Sequence, residues 1–361
     1  MKVFFDYRIF YLQKYGGISR YFINLNKEFK LLNIDSNIYA PISINAQLNK
    51  QKKNFKNHFS LKKIYKYTGT LTRTYNDIFT NLYLMTTNPS IVHLTYFQKK
   101  LKIFKKKPLI ITVYDLIYEK HYLDYGLKGN NKYKINYLNE ADHIICISEA
   151  TRQDLLKYYD IDKDKTTVIH LGNDDFINTS KNLNNLREDI ILYVGGRRRY
   201  KNFDILIDAF NMSKYLKNQF KVICVGGGNF TISELDKLKK LSLLENFVFF
   251  DADDNQLHQL YSKAKVFVTT SLTEGFGLPP LEAMRNYCPV LASDIKVYRE
   301  TLGNFAEFFD PNDPEILKKK LENLTLENKM NLQFDAAYKH SKKFTWKKCA
   351  EETLSVYKKL V

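Results

Sequence analysis

The feature that most constrains this chain is an alternation, sustained from end to end, of short apolar runs with stretches whose apolar residues recur every three or four positions. The short runs read as strands covered on both faces, and the periodic stretches as amphipathic helices. Such alternation calls for parallel sheets joined through crossover helices, an α/β fold, and not for strands and helices kept in separate layers. The opening strand, Val3 to Ile9, runs into the tight turn Gly16-Gly17, where Ile18-Ser19-Arg20-Tyr21 starts a helix through about Leu32. Further strands are expected at Ile91 to Leu94, Leu109 to Val113, His143 to Ile147 and Thr167 to Leu171. A second series comprises Ile190 to Val194, Lys221 to Val225, Phe247 to Phe250, Val266 to Thr269 and Val290 to Ala292.

Between the two series lies an asparagine- and aspartate-rich stretch without periodicity, Gly172 to Glu188, the natural place for a linker. The expected organisation is therefore a Rossmann-like domain over 1–172, a linker over 173–188 and a second Rossmann-like domain over 189–343. The segment 344–361 then reads as a C-terminal amphipathic helix. A chain of 361 residues, 44% apolar and 14% aromatic, can fill two such cores. Cys146, Cys224, Cys288 and Cys349 lie far apart with no C-x-x-C pair, which speaks against a disulfide framework or structural zinc and for a reducing compartment. Asp6 arrives too early for the apolar region of a signal peptide, and no apolar run approaches the roughly 20 residues that span a bilayer. A cytoplasmic location follows as the expectation.

Charge supplies a further constraint. Fifty-six basic against 39 acidic residues leave a net charge of +17, concentrated in the first third of the chain. Lys50 to Lys66 holds seven lysines and no acid, interleaved with Phe55, Phe59, Leu61, Ile64 and Tyr65, and Lys99 to Lys107 adds six more lysines. Anionic lipid headgroups or a phosphorylated acceptor suit this pattern; a solvated face from biased composition is the plainer alternative.

The most informative segment is Thr273-Glu274-Gly275-Phe276-Gly277-Leu278-Pro279-Pro280-Leu281-Glu282, placed directly after a strand. Gly275 and Gly277 let backbone amides approach a ligand, while a proline in the first helical turn helps aim the positive helix end at a diphosphate. Glu274 and Glu282, one on the loop and one a turn inside the helix, offer carboxylates to hydroxyls at two ends of one ligand. After the first strand of the second series comes Gly195-Gly196-Arg197-Arg198-Arg199-Tyr200-Lys201-Asn202, where cations at the carboxyl edge of a sheet can meet that diphosphate.

The run E-G-F-G-L-P-P-L-E resembles the E-x7-E pattern of retaining glycosyltransferases of the GT-B fold, specifically their family 4. The resemblance extends to Gly16 through Tyr21, Thr112 to Asp115, Ile147 to Glu149, Tyr193 to Gly195 with Lys201-Asn202, and Phe344-Thr345-Trp346, so it spans nearly the whole chain. It implies two Rossmann-like domains facing a central cleft, an acceptor side first and a nucleotide-sugar-binding domain second, with the last helix crossing back to the first. It also implies that Glu274 contacts the donor sugar, Glu282 the ribose, and the amides of Phe276, Gly277 and Leu278 the sugar or β-phosphate. Lys201, with one of Arg197, Arg198 and Arg199, would stabilise the leaving diphosphate. Gly16 and Gly17 would approach the donor, Gly226 would lie in a turn near the nucleotide, and Asp251 in the loop that brackets the base.

Tyr114 stands where many relatives carry a histidine, and a tyrosine cannot supply imidazole's charge near neutral pH; His93, at the end of a neighbouring strand, is the substitute to consider. Asp251-Ala252-Asp253 matches a D-x-D metal motif only superficially, so no metal and no resident cofactor are expected. The implied activity is transfer of a hexose, mannose or glucose, from a nucleotide diphosphate sugar to a glycan or lipid-linked glycan. Its setting would be envelope polysaccharide synthesis at the inner face of the cytoplasmic membrane. The alternatives are a basic nucleic-acid-binding protein, which leaves the glutamate motif unexplained, or a same-fold epimerase or sugar-phosphate synthase.

Overall fold

The computed structural model describes residues 1–51, 65–98, 107–125, 131–173, 187–197, 199–326 and 331–361. Most of the lysine-rich stretches 50–66 and 99–107, the linker and Arg198 lie outside the described residues. The chain divides into two compact units. The first comprises Met1–Tyr122, Leu127–Gly172 and Thr345–Val361; the second comprises Asn173–Phe344 with Leu123–Gly126.

The first unit is built on β1 (Lys2–Phe5), β2 (Asp35–Ile38), β3 (Ile91–Leu94), β4 (Leu109–Val113), β5 (His143–Cys146) and β6 (Thr166–Val168), in the order β2-β1-β3-β4-β5-β6. All pairings are parallel. β3 and β4 are buried at every position, as a strand with helices on both faces must be. One core cluster gathers Val92, Ile111, Val113, Leu138, Ile144 and Leu155. The second unit repeats the plan with β7 (Glu188–Val194), β8 (Lys221–Val225), β9 (Phe247–Phe250), β10 (Ala264–Thr269), β11 (Val290–Ser293) and β12 (Glu307–Phe309). Its order is β12-β11-β10-β7-β8-β9, again parallel throughout, around Ile191, Leu206, Phe210, Val222 and Leu291.

In each sheet the winding reverses once, between β1 and β3 in the first and between β7 and β10 in the second. At such a switch point the two adjoining loops leave in opposite directions and open a crevice at the carboxyl ends of the strands.

The opening strand is shorter than its sequence suggests. It stops at Phe5, and a short helix, Arg8–Leu12, precedes the Gly16-Gly17 turn. The reason is a buried ionic knot: Asp6 pairs with Arg8 at 3.0 Å and accepts from Thr95 N and Thr95 Oγ1 at 2.8 and 2.6 Å, which turns the chain where apolar patterning alone would extend it. Ile9 and Phe10 are then buried as helix.

The last helix, Trp346–Lys358, packs on the Gly17–Leu31 helix of the first unit. Tyr357 meets Phe29 at 5.6 Å between ring centroids, and Trp346 meets Tyr21 at 6.2 Å. The tyrosine hydroxyl also bonds His93 Nδ1 at 2.5 Å, while His93 Nε2 bonds Thr112 Oγ1 at 2.8 Å. Gly172 permits the approach: a Cβ there would lie 2.3 Å from Trp346 N.

Candidate active site

The best-defined candidate lies at the switch point of the second unit. The loop leaving β10 carries Ser271, Thr273 and Glu274 to Gly277, whose φ of +92° sets the turn into the Leu278–Arg285 helix. Pro279 stands in the first turn of that helix. The loop leaving β7 carries Gly195, Gly196 and Arg197 to a short 3-10 turn over Arg199–Lys201. Two bonds fasten the loops together: Thr270 Oγ1 donates to Lys201 O at 2.7 Å, and Leu272 N to Tyr200 O at 2.8 Å.

This stitching brings Lys201 Nζ to within 2.5 Å of Glu274 Oε1, across 73 positions of sequence. Ser271 Oγ donates to the same oxygen at 2.8 Å and Tyr298 OH at 3.5 Å. Burial, with Glu274 beside it, holds the Tyr298 phenol well above its ordinary range, so it remains a donor. The Lys201 and Glu274 side chains keep 20% and 16% of their surface open to solvent, so a ligand can reach the pair. Glu282 is buried inside the helix, where its Oε2 accepts from Tyr261 OH at 3.0 Å. An ammonium, a partly free carboxylate and a helix N-terminus thus converge at the place where an open parallel sheet binds ligands.

The arginines separate. Arg197 is used up by the fold: its Nε pairs with Glu234 at 2.9 Å, and its terminal nitrogens donate to Gly226 O, Gly228 O and Asn229 O at 3.1, 2.7 and 2.9 Å. Its guanidinium also lies 4.8 Å from the Phe230 ring centroid. The Arg197 side chain thus ties the β7 loop to the β8 loop. Arg199 is exposed on the 3-10 turn, and Arg198 lies outside the described residues. Gly226, with φ +82°, belongs to a glycine turn packed against Gly195 and Gly196. Asp251 is exposed beyond β9, whereas Asp253 caps the Asp254–Lys263 helix through Gln256 N at 2.9 Å. Asp253 thus has a structural employment. Ser271, Tyr298 and Glu234 had passed unnoticed in the sequence; only the spacing of Ser271, three residues before Glu274, hinted at a role.

Glycosyltransferase family models match both parts of the chain. The model of "Glycosyl transferases group 1" matches residues 174–341, and that of "Glycosyltransferase Family 4" matches residues 15–175, so the two adjoin across almost the whole chain. Each part of the chain is thus similar to a glycosyltransferase family. Among curated relatives, the O-antigen chain mannosyltransferase RfbU of Salmonella typhimurium is 30% identical over 190 residues, 52% of either chain. O-antigen chain mannosyltransferase B of Escherichia coli is 25% identical over 236 residues, 62% of either chain. The matched region thus spans about half to three fifths of these relatives. Sucrose-phosphate synthase from Thermosynechococcus elongatus superposes with a TM-score of 0.77 at 17% identity, covering 100% of this chain and 99% of that one. HepE from Anabaena, solved with UDP-glucose, superposes with a TM-score of 0.74 at 17% identity, covering 99% and 100%. These likenesses give the fold, GT-B.

In the first unit, Gly16 caps the Gly17–Leu31 helix, its carbonyl accepting from Ser19 Oγ at 2.9 Å and Arg20 N at 3.1 Å. Tyr114 is buried against Tyr21, with its hydroxyl 3.5 Å from Thr95 O; burial pushes the phenol well above its ordinary range. A group held so firmly protonated donates a hydrogen bond and does not serve as a base. His93 cannot stand in for it. Fully buried and bonded through both ring nitrogens, it has its pKa pushed down to about 3 by loss of water, and it remains neutral.

Proposed function

We propose that the chain transfers a hexose, mannose or glucose, from a nucleotide diphosphate sugar to a glycan or lipid-linked glycan acceptor. The observation that carries this reading is the Lys201–Glu274 pair at the β7/β10 switch point, beside a helix N-terminus. The mannosyltransferase names of the relatives support the hexose, and the UDP-glucose held by HepE supports a nucleotide-sugar donor. A donor entering the site would separate the pair. Lys201 then exchanges the carboxylate for the charge of the diphosphate, and Glu274 accepts hydrogen bonds from the hydroxyls of the sugar.

In the proposed step the bond from the anomeric carbon to the phosphate oxygen breaks, and that oxygen takes up the proton of the acceptor hydroxyl. The acceptor oxygen bonds the anomeric carbon on the face the nucleotide leaves, so configuration is retained. Negative charge grows on the departing diphosphate, where the fixed ammonium of Lys201 and the amides at Gly277 and Leu278 stabilise it. Glu282 would hold the ribose. The reading calls for no resident cofactor, because the protein's own cation meets the phosphate. The excess of basic residues supports work at an anionic membrane surface on its cytoplasmic side.

The test is turnover of a panel of UDP- and GDP-hexoses, with and without glycan acceptor, by the wild type and Glu274→Ala. One donor should be consumed, faster with acceptor, and the variant should lose about a hundredfold or more. Equal turnover by the variant would remove the assignment, and acceptor-independent turnover would favour a sugar-phosphate synthase or epimerase.

A further inference from the structure

The helix Tyr65–Thr87 is amphipathic the wrong way round for a helix on a globular core. The side it turns inward is largely polar. Thr72, Asn76 and Thr80 are buried; Asn76 bonds Ile42 N and Ile42 O at 2.9 and 3.0 Å, and Tyr83 stacks on Tyr39 at 4.0 Å while accepting from Asn37 Nδ2 at 2.7 Å. The opposite side carries Leu71, Tyr75, Ile78, Leu82 and Met85, each 44–72% exposed, with Phe79 flanking them at 37%. The spacing of the five alternates between four and three residues, which places them on one stripe about four turns long.

From Gly69 to Thr87 the only charged residues are Arg73 and Asp77, and neither shares the phase of the stripe. Asp77 is engaged inward, accepting from Tyr7 OH at 2.8 Å. The outward face is therefore apolar and uncharged, a contiguous patch of the kind that marks a docking surface.

We propose that this face lies in the headgroup region of an anionic membrane and anchors the first unit there. Charge complementarity selects this occupant over a second copy of the chain. The protein carries +17, which repels a like molecule and draws it toward anionic lipid. The seven lysines of Lys50 to Lys66, with no acid among them, run directly into the start of the helix. No described helix is long and apolar enough to cross a membrane, so this one would lie in the interface plane, apolar side down, with Tyr75 and Phe79 at headgroup depth. The proposal deepens the reading of the acceptor as lipid-linked: the anchor would keep the enzyme on the surface that carries its substrate.

Sedimentation with vesicles of phosphatidylglycerol and phosphatidylcholine, against phosphatidylcholine alone, tests it. Wild type should bind the anionic vesicles, less so as salt rises. The triple variant Leu71→Gln, Ile78→Gln, Leu82→Gln should bind at least tenfold more weakly, with an unchanged melting temperature and unchanged donor turnover in vesicle-free solution. A second variant, Ile78→Trp, places a reporter on the stripe, and its emission should shift to the blue on adding anionic vesicles. Binding that survives the triple change, the lack of a blue shift, or light scattering that finds a wild-type dimer dispersed by the same substitutions would each overturn the proposal. The turnover assay, run apart from lipid, shows whether the enzymatic reading stands whatever the vesicles report.

Discussion

Gly277 holds two constraints in one residue. Its φ of +92° belongs to the left-handed region, and a Cβ there would come within 2.6 Å of the Tyr298 ring, the ring whose hydroxyl reaches Glu274. Gly277→Ala should therefore cost about 1–3 kcal/mol of stability and also disturb the carboxylate, seen as a lowered melting temperature together with reduced turnover. Turnover unchanged in a folded protein would show that the loop tolerates the shift. Arg197 makes a different prediction. Removing it leaves Glu234 without its cationic partner and takes one donor from each of three carbonyls, so Arg197→Ala should destabilise by about 2–3 kcal/mol, whereas Arg199→Ala, at an exposed site, should change the melting temperature little. Denaturant titration of the two variants decides it. At this scale the sequence was informative about residue type and silent about employment. The eight-residue spacing of Glu274 and Glu282 pointed to a ligand-binding loop. Nothing in three consecutive arginines disclosed that the first is spent on Glu234 and Phe230, because those partners arrive from another loop 33 or more positions away.

Among the elements, the strands with unbroken apolar runs were the easiest to read. β3, β4, β8 and β9 fall where their apolar runs lie. β2, with the sequence Asp-Ser-Asn-Ile, and the three-residue β12 escaped, for neither carries an apolar run like the one that reveals β9, itself an edge strand. The Arg8–Leu12 helix escaped because an ionic knot, not periodicity, sets its start. His93 joins β3 to β4 and to the final helix, and its burial has a consequence for pH. Its ordinary value is near 6.5 and burial lowers it to about 3 in the folded protein, so the neutral ring is favoured by folding. That contribution is complete above about pH 6.5 and is lost as the pH falls toward 3, at up to about 1.4 kcal/mol per pH unit. Melting temperature measured from pH 7.5 to 4.5 should therefore fall more steeply for wild type than for His93→Asn, which starts lower. Parallel curves would show that the histidine does not govern acid sensitivity.

On the scale of the whole molecule, the first unit is made of three stretches of sequence, the last of them, Thr345–Val361, far from the others, and the second, apart from Leu123–Gly126, of one. Trp346, Ala350, Leu354, Val356 and Tyr357 are buried, and each large apolar side chain among them contributes about 1.5–3 kcal/mol of burial. Their sum rivals the whole stability of an ordinary domain. A chain ending at Phe344 should accordingly lose the first unit and keep the second, so that limited proteolysis leaves a protected fragment beginning near Arg187. Protection of residues 1–172 in that truncated chain would refute the dependence.

The same discontinuity reverses the usual timetable of folding on the ribosome, where the amino-terminal domain of a chain ordinarily finishes first. Here the strands of the β7–β12 sheet, the last ending at Phe309, are made before the Thr345–Val361 segment, while the first unit leaves Phe29 and His93 without the cover of Tyr357 until that segment follows. Loss of residues 345–361 would thus be felt most by the unit synthesised before the second.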